Sequence, residues 1–392
     1  MREDYDVIVV GAGPAGSMAA KTAAQSGLST LLIEKRQEIG EPVRCAEGIA
    51  ADSLGDLVEV KPGWICARVR RARIHAPSGA FLDIADDRDA AYILERKVFD
   101  RDLAKAAASA GAEVYTKTQA TGLVIEEGRV CGVRGKSLGE DFYAGARVVV
   151  AADGIESRVA RWAGMDTALR LKDVGSCVQF RLANVDVDPG CCEFYFGSSY
   201  APRGYAWVFP KGSDEANVGL GLIHHRNSSG APIQYLERFV GRKFPGASVL
   251  GSVAGAVPIS GRMPRLSTGG LVLAGDAGRL TDPVTGEGIA NGMISGQIAG
   301  RIVAGCVRKG DVSARSLSEY DREIAKALGP ALDRNYLLKE QLRRSGDTRL
   351  NLIFGAVKAM GVESYPASRV LREVYSPRSN AVARVLMRIL GS

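Results

Sequence analysis

Near its start the chain carries six residues that read as a buried strand, Tyr5-Asp-Val-Ile-Val-Val10. They run directly into Gly11-Ala-Gly13-Pro-Ala15-Gly16 and a helix from Pro14 to about Gln25. A second short strand, Ser29 to Ile33, ends at Glu34. This βαβ unit, with G-x-G-x-x-G at its first turn, constrains the fold more than any other stretch. Gly11 permits the tight turn, Gly13 lets backbone approach a pyrophosphate, and Gly16 lets the helix pack on the strand. The free N–H groups at the helix start suit a phosphate. Glu34, 18 residues after Gly16, is placed to bind ribose hydroxyls. The pattern predicts a dinucleotide site and does not by itself separate FAD from NAD. A glycine-rich turn in an ordinary βαβ unit is the bland alternative.

Composition excludes several classes. A mass of 41.5 kDa allows more than one domain, and 46% hydrophobic with 24% charged residues is not disordered or fibrous. Glycine supplies 47 of 392 residues, about 12% against the usual ~7%. That excess suits backbone in close approach to a ligand. The histidines, at 75, 224 and 225, leave little for a metal site or a Ser-His-Asp triad. Cysteines at 45, 66, 131, 177, 191, 192 and 306 make no C-x-x-C pair and no zinc or iron–sulfur spacing, so no metal is expected. An odd cysteine count, with a strand pattern already present at Tyr5, points to no signal peptide and a cytoplasmic chain. No 18-residue uncharged apolar run occurs, so no transmembrane helix is expected. Net charge is +7, and Ser313–Ser392 holds 14 Lys and Arg against 8 Asp and Glu. Nucleic acid, an anionic membrane surface, a phosphorylated substrate or a merely solvated basic face would each account for this.

Further along, Val69–His75 and Phe81–Ile84 read as a hairpin and Arg96–Ala110 as a helix. Short strands follow at Glu113–Tyr115, Ala120–Glu126, Arg129–Arg134 and Arg147–Ala152. From about 170 to 258 aromatic strands predict an antiparallel sheet, with strands at Ser176–Ala183, Cys192–Phe196, Tyr205–Phe209 and Ala216–Ile223. Leu271–Ala274 returns to the buried-strand pattern, followed by a helix from about Gly288 to Val307 and a helical remainder. The expected architecture is α/β. A discontinuous nucleotide domain (1–75, 92–170 and 259–310) is interrupted by an antiparallel-sheet substrate domain (76–91 and 171–258). Residues 311–392 form a helical C-terminal region.

Gly275-Asp276-Ala277, continuing through Thr281-Asp-Pro-Val-Thr-Gly286-Glu287-Gly288-Ile289, resembles the Gly-Asp motif of para-hydroxybenzoate hydroxylase-type flavoproteins. These belong to the glutathione-reductase-like superfamily, whose FAD-binding Rossmann domain the resemblance implies here. Ala151-Ala152-Asp153-Gly154 resembles the same family's Asp-Gly motif. The resemblance implies FAD, with Asp276 on the ribityl chain and the Gly286–Ile289 backbone and helix start beside the flavin ring.

Two more stretches narrow the family. Pro42-Val-Arg44-Cys45-Ala46-Glu47-Gly48 and Pro202-Arg-Gly-Tyr205-Ala-Trp207-Val-Phe209-Pro-Lys211-Gly212 resemble the geranylgeranyl reductase family, in its archaeal ether-lipid branch. The resemblance covers the chain to about residue 300. It implies FAD contacts from Gly11, Gly13, Ala15, Gly16, Glu34, Cys45, Ala46, Gly48, Arg96, Ala120, Asp276, Gly288 and Ile289. For Arg96 the bland alternative is a surface ion pair with Glu95 or Asp100. Tyr205, Trp207 and Phe209 alternate and so share one strand face, either lining a tunnel for a long alkene or packing a core. Cys45, Tyr205 and Trp207 are the catalytic candidates. Cys45 is a proton donor, a redox partner or a small packing residue. The acid is Cys45, Tyr205 or a water.

The expected activity is hydrogenation of the geranylgeranyl chains of a glycerophospholipid. An external electron donor (ferredoxin, a deazaflavin or NAD(P)H) is needed, and no second nucleotide motif identifies it. Nucleic acid is not an expected partner. The lipid substrate implies peripheral work at a membrane surface, for which Val382–Leu390, with Arg384 and Arg388 on one helix face, is the candidate segment. The alternatives are an aromatic-ring monooxygenase, a chlorophyll-type geranylgeranyl reductase and a non-enzymatic lipid-binding scaffold.

Overall fold

The computed structural model describes residues 1–223 and 230–375. Its first sheet has eight strands. Asp4–Val10 lies at the centre, parallel to Thr30–Ile33 on one side and to Glu140–Ala151 on the other. Glu113–Tyr115 and Leu271–Leu273 extend it, also in parallel. A parallel sheet covered on both faces calls for unbroken apolar strands, and Val7–Val10, Leu31–Ile33 and Val148–Ala151 are all buried. Thr118–Glu126 and Arg129–Ser137 form an antiparallel flap on Glu140–Ala151. That last strand begins seven residues before the expected Arg147. Its first residues, Glu140, Asp141 and Tyr143, are exposed and are held by pairing with the flap, so no continuous apolar run marks its start.

The helix Pro14–Gln25 lies against Ile289–Lys309 with backbones almost touching. A Cβ on Gly296 would fall 2.0 Å from the Ala15 carbonyl oxygen, and one on Gly300 2.7 Å from that of Ala19. This approach sets the Gly275–Gly278 turn beside the Gly11–Gly16 turn: a Cβ on Gly275 would lie 2.9 Å from the Ala15 Cβ.

The second sheet has seven strands, in the order Ser248–Pro258, Val174–Ala183, Glu215–Leu222, Tyr205–Pro210, Cys191–Phe196, Arg71–His75 and Phe81–Ala85. All neighbours are antiparallel except Cys191–Phe196 with Arg71–His75. Arg71–His75, expected in the nucleotide domain, thus pairs in this sheet. Even-numbered residues Phe180, Leu182, Ala206, Val208, Val218 and Leu220 pack one face against the helix Pro232–Lys243. Odd-numbered Gln179, Tyr205, Trp207, Phe209 and Asn217 therefore project from the other face. The strand Ser248–Pro258 and the helix Pro232–Lys243 were not anticipated. The strand is mostly exposed and carries no buried apolar stripe to reveal it.

A three-stranded sheet of Gly48–Ala50, Ala91–Leu94 and Ile65–Val69 carries the end of the Arg44–Gly48 loop. The helical C-terminal region is anchored where Tyr320 donates its hydroxyl to the Leu273 carbonyl at 2.7 Å. Its later helices reach the second sheet, with Ser198 Oγ donating to Asp347 at 2.6 Å and Asp83 N–H to Glu363 at 2.9 Å. Val382–Leu390 lies outside the described residues. Among those described, no helix is long and apolar enough to cross a membrane, and no group of His, Cys, Asp and Glu is arranged to hold a metal.

Candidate active site

A cavity of about 1160 Å³ collects nearly every residue the sequence singled out. Gly11, Gly13, Ala15, Glu34, Cys45, Ala46, Gly48, Arg96, Ala120, Tyr205, Trp207, Asp276, Gly288 and Ile289 all line it. Gly16 is not among the lining residues. Its missing Cβ leaves room for the Gly11 carbonyl oxygen, which would stand 1.8 Å away, so Gly16 serves the packing of helix on strand.

The glycine turn has the features of a dinucleotide cradle. Gly11 has φ +103°, and a Cβ there would lie 2.3 Å from the Ala152 oxygen. Nothing lies within 4 Å of the place a Cβ on Gly13 would take. The following helix has Pro14 at its first position, no side-chain cap and no acidic residue in its first turn. Its leading N–H groups are thus left for an anion in the cavity. Glu34 accepts from the Ala12 N–H at 3.0 Å and the Arg36 N–H at 3.0 Å, which fixes its carboxylate at the strand end.

Asp153 and Asp276 supply the other two motif carboxylates. Asp153 accepts from the Val159 N–H at 3.0 Å through one oxygen, and its other oxygen is buried without a partner. Burial pushes its carboxyl up. Burial also pushes Asp276 up, while the Thr281 hydroxyl, donating at 2.6 Å, opposes the shift. An orphaned buried acceptor, an uncapped helix start and an open glycine are what a bound dinucleotide would complete. The residues present therefore fit FAD.

Arg96 begins the helix Arg96–Ser109 and pairs with Asp100 through two bonds of 2.7 and 2.8 Å. The pair was a sequence-level alternative, but it is buried rather than on the surface. Cys45 is half-buried. Burial raises its thiol pKa, and the nearby Arg96 charge offsets only part of this, so Cys45 keeps its proton. Its sulfur accepts from the Glu47 N–H at 3.2 Å.

The aromatic face lines the same cavity. Tyr205 and Trp207 rings stand 5.9 Å apart, and Trp207 and Phe209 6.5 Å apart. Phe194 and Phe196 of the neighbouring strand pack on Tyr205 at 6.0 and 5.7 Å. None of these five rings belongs to the core under the helix Pro232–Lys243. The Tyr205 hydroxyl donates to the Thr285 carbonyl, joining the sheet to the Gly-Asp motif segment, and burial pushes its phenol up.

Sequence reasoning passed over five lining or supporting residues. Gln179, on the aromatic side, accepts from Trp207 Nε1 at 3.0 Å and donates to the Cys45 carbonyl at 3.0 Å. Lys211, whose side chain is fully buried, donates to Glu47 at 2.8 Å, and Asn217 donates to the same carboxylate at 2.6 Å. Glu287 caps the start of Ile289–Lys309 through the Ala290 N–H at 2.9 Å, and burial beside Asp282 and Asp276 pushes it up to about 7. Signals existed for all five, since Glu287 stands inside the Gly-Asp motif segment. Glu47 and Lys211 stand inside the two family-like motifs. Gln179 and Asn217 interrupt apolar strands, where a polar residue needs a buried partner.

The chain matches the family model for the geranylgeranyl reductase catalytic domain over residues 173–257 and that for an FAD binding domain over residues 4–190. It is 52% identical to the digeranylgeranylglycerophospholipid reductase of Methanocella arvoryzae over the full length of both chains. With that of Methanosarcina acetivorans it shares 45%, covering 96% of this chain and 94% of the other. A geranylgeranyl bacteriochlorophyll reductase-like protein of Thermoplasma acidophilum superposes with a TM-score of 0.88 at 36% identity, covering 99% of each chain. A flavin-dependent brominase, at 18% identity and a TM-score of 0.70 over 94% of this chain and 97% of that one, shares the fold alone. The mixed α/β fold with its FAD-binding domain, the motifs and the full-length relatives agree: the chain belongs to the geranylgeranyl reductase family, among the digeranylgeranylglycerophospholipid reductases.

Proposed function

We propose that this protein is an FAD-dependent oxidoreductase that hydrogenates the C=C bonds of geranylgeranyl chains in a glycerophospholipid. The observation that carries the reading is one cavity lined both by the dinucleotide motifs and by a five-ring aromatic face. The first sheet, with its glutathione-reductase-like motifs, is the FAD domain. The second sheet is the substrate domain inserted into it, and the C-terminal helices form a third region.

Reduced FAD, when bound, supplies a hydride. The glycine turn, Glu34 and Asp276 would hold the cofactor. Tyr205, Trp207 and Phe209 hold the alkene chain, exclude water and stabilise cationic character by their ring faces. The proton comes from a group that keeps it at neutral pH. Cys45 does so in the cavity wall, whereas the Tyr205 proton is already directed to Thr285. An ordered water is the remaining source.

Anaerobic reduction with dithionite, followed by mass spectrometry of the added lipid, tests the reading. Addition of hydrogen pairs supports it. Addition of oxygen on exposure to air identifies a monooxygenase, and an unchanged lipid leaves a binding protein.

The lipid substrate places the enzyme at a membrane surface, with an external donor delivering electrons. The basic C-terminal region is the contact, each cation near an anionic surface adding about 1 kcal/mol at low salt. Co-sedimentation with anionic vesicles, weakened by salt and by deleting residues 380–392, supports this. Binding that is equal with and without the segment opposes it.

A further inference from the structure

The loop that carries Cys45 belongs in sequence to the nucleotide half of the chain, yet its polar groups are held by the aromatic-faced sheet. Three side chains from successive strands do this. Gln179, on Val174–Ala183, donates to the Cys45 carbonyl at 3.0 Å. Asn217, on Glu215–Leu222, donates to the Ala46 carbonyl at 3.4 Å and to the Glu47 carboxylate at 2.6 Å. Lys211, directly after Tyr205–Pro210, donates to that carboxylate at 2.8 Å and to the Leu94 carbonyl at 3.0 Å. The Glu47 carboxylate also takes the Arg96 N–H at 2.9 Å, at the first turn of Arg96–Ser109.

Glu47 is therefore the point where the loop, the Arg96 helix and the aromatic sheet meet. It is 4% exposed and has φ +73°, a left-handed conformation that a side chain rarely adopts. Burial lowers the Lys211 pKa, but the Glu47 carboxylate, with smaller help from Cys66 and from Glu95 at 3.3 Å, outweighs it and holds the ammonium above its ordinary range. The Glu47 N–H in turn donates to the Cys45 sulfur at 3.2 Å. The left-handed Glu47 backbone and the thiol it contacts are thus fixed by the same carboxylate. Gln179 adds a second tie, because its amide is engaged at both ends: Trp207 on one side, Cys45 on the other.

We propose that Glu47 is a positioning residue for the reaction, clamped by Lys211 and Asn217 so that the aromatic sheet, together with Gln179, sets where the Cys45 thiol sits in the cavity. The proposal rests on the reading that Cys45 stands at the reacting centre. Its consequence is that Cys45 moves with the alkene-binding wall rather than with the cofactor-binding turn.

The test uses full-length, FAD-loaded protein and two readouts. One is the rate of Cys45 alkylation by iodoacetamide, followed peptide by peptide so that the other six cysteines serve as controls. The other is kcat and KM for a geranylgeranylated phospholipid. For Glu47→Gln the expected result is alkylation of Cys45 about tenfold faster and kcat about tenfold lower, with KM within about threefold and FAD content unchanged. Gln179→Leu, which leaves the ion pair intact, shifts both readouts the same way and decides the matter if Glu47→Gln does not fold. Alkylation within about twofold of the unsubstituted protein in the folded variants overturns the clamp. Faster alkylation with kcat unchanged overturns its link to the reaction. Cys45→Ala with full turnover removes the thiol from the chemistry, and so defeats the underlying reading, while the alkylation rates still judge the clamp.

Discussion

Gly219 and Trp207 are fitted to each other across neighbouring strands: a Cβ on Gly219 would lie 2.5 Å from the indole ring. The two residues are also register partners in the antiparallel pair. The glycine lets the largest ring of the aromatic wall lie flat against the sheet, where its Nε1 reaches Gln179. A methyl group at 219 must push the indole toward the cavity or the strand away from the Val178 carbonyl, itself 2.8 Å from that Cβ. Gly219→Ala is expected to destabilise the protein by about 1–3 kcal/mol, the usual cost of overpacking, and to lower turnover with FAD retained. Thermal melts and flavin absorbance on one preparation measure both. Unchanged stability and turnover would show that the wall tolerates the displacement.

Trp207→Ala separates the wall from the core. Trp207 is 7% exposed, but the face it presents lines the cavity. The variant is expected to keep FAD and lose most hydrogenation. Loss of flavin, or unfolding where a surface control stays folded, would make Trp207 a core residue instead.

Asp276→Ala removes the half-buried carboxylate that lies 3.3 Å from where a Cβ on Gly288 would stand. Loss of a charge-assisted hydrogen bond is worth about 1.5–3 kcal/mol, or roughly 10- to 100-fold in affinity. Titrating FAD-stripped protein with FAD, followed by flavin fluorescence, gives the ratio directly. An unchanged affinity would remove Asp276 from the cofactor site.

Glu287 gives a pH dependence with a definite sign. Its folded-state pKa of about 7 stands above the ordinary 4.5. Between those values the folded protein holds a proton that the unfolded chain has released, so stability falls as pH rises from about 4.5 to about 7. FAD-free protein is expected to lose part of this slope on Glu287→Gln. Melting temperatures taken as a pH series for both proteins make the comparison, and superimposable slopes would place Glu287 at an ordinary pKa.

Cys45→Ser and Cys45→Ala ask whether the thiol proton takes part. Burial holds that proton on sulfur at neutral pH, so the expected result is a marked loss of kcat in both variants. Full rates in both would leave water as the donor.

The residues singled out around the glycine turn and the Gly-Asp motif meet in one cavity, for a physical reason. Gly11, Gly13, Glu34 and Asp276 are placed by short-range geometry, namely a turn, a strand end and the turn after a strand, and such geometry is written in adjacent residues. The alternation of Tyr205, Trp207 and Phe209 predicted a shared face but not what it faced. That required knowing that Ala206 and Val208 are taken up by the core under Pro232–Lys243. The ion pair of Glu47 with Lys211 spans 164 positions. Nothing local to either residue announces it, although each stood inside a recognisable motif. The strand Ser248–Pro258 was missed because its exposed edge lacks a buried apolar stripe.

The central claim is tested most directly by a single anaerobic turnover. Protein carrying reduced FAD, freed of excess reductant, is mixed with a geranylgeranylated phospholipid, and flavin absorbance and lipid mass are followed together. The account predicts that oxidised flavin returns as the lipid appears with hydrogen added across its double bonds, in equal amounts and with no oxygen present. Flavin that stays reduced in the presence of lipid, or that reoxidises only when air is admitted, would contradict it.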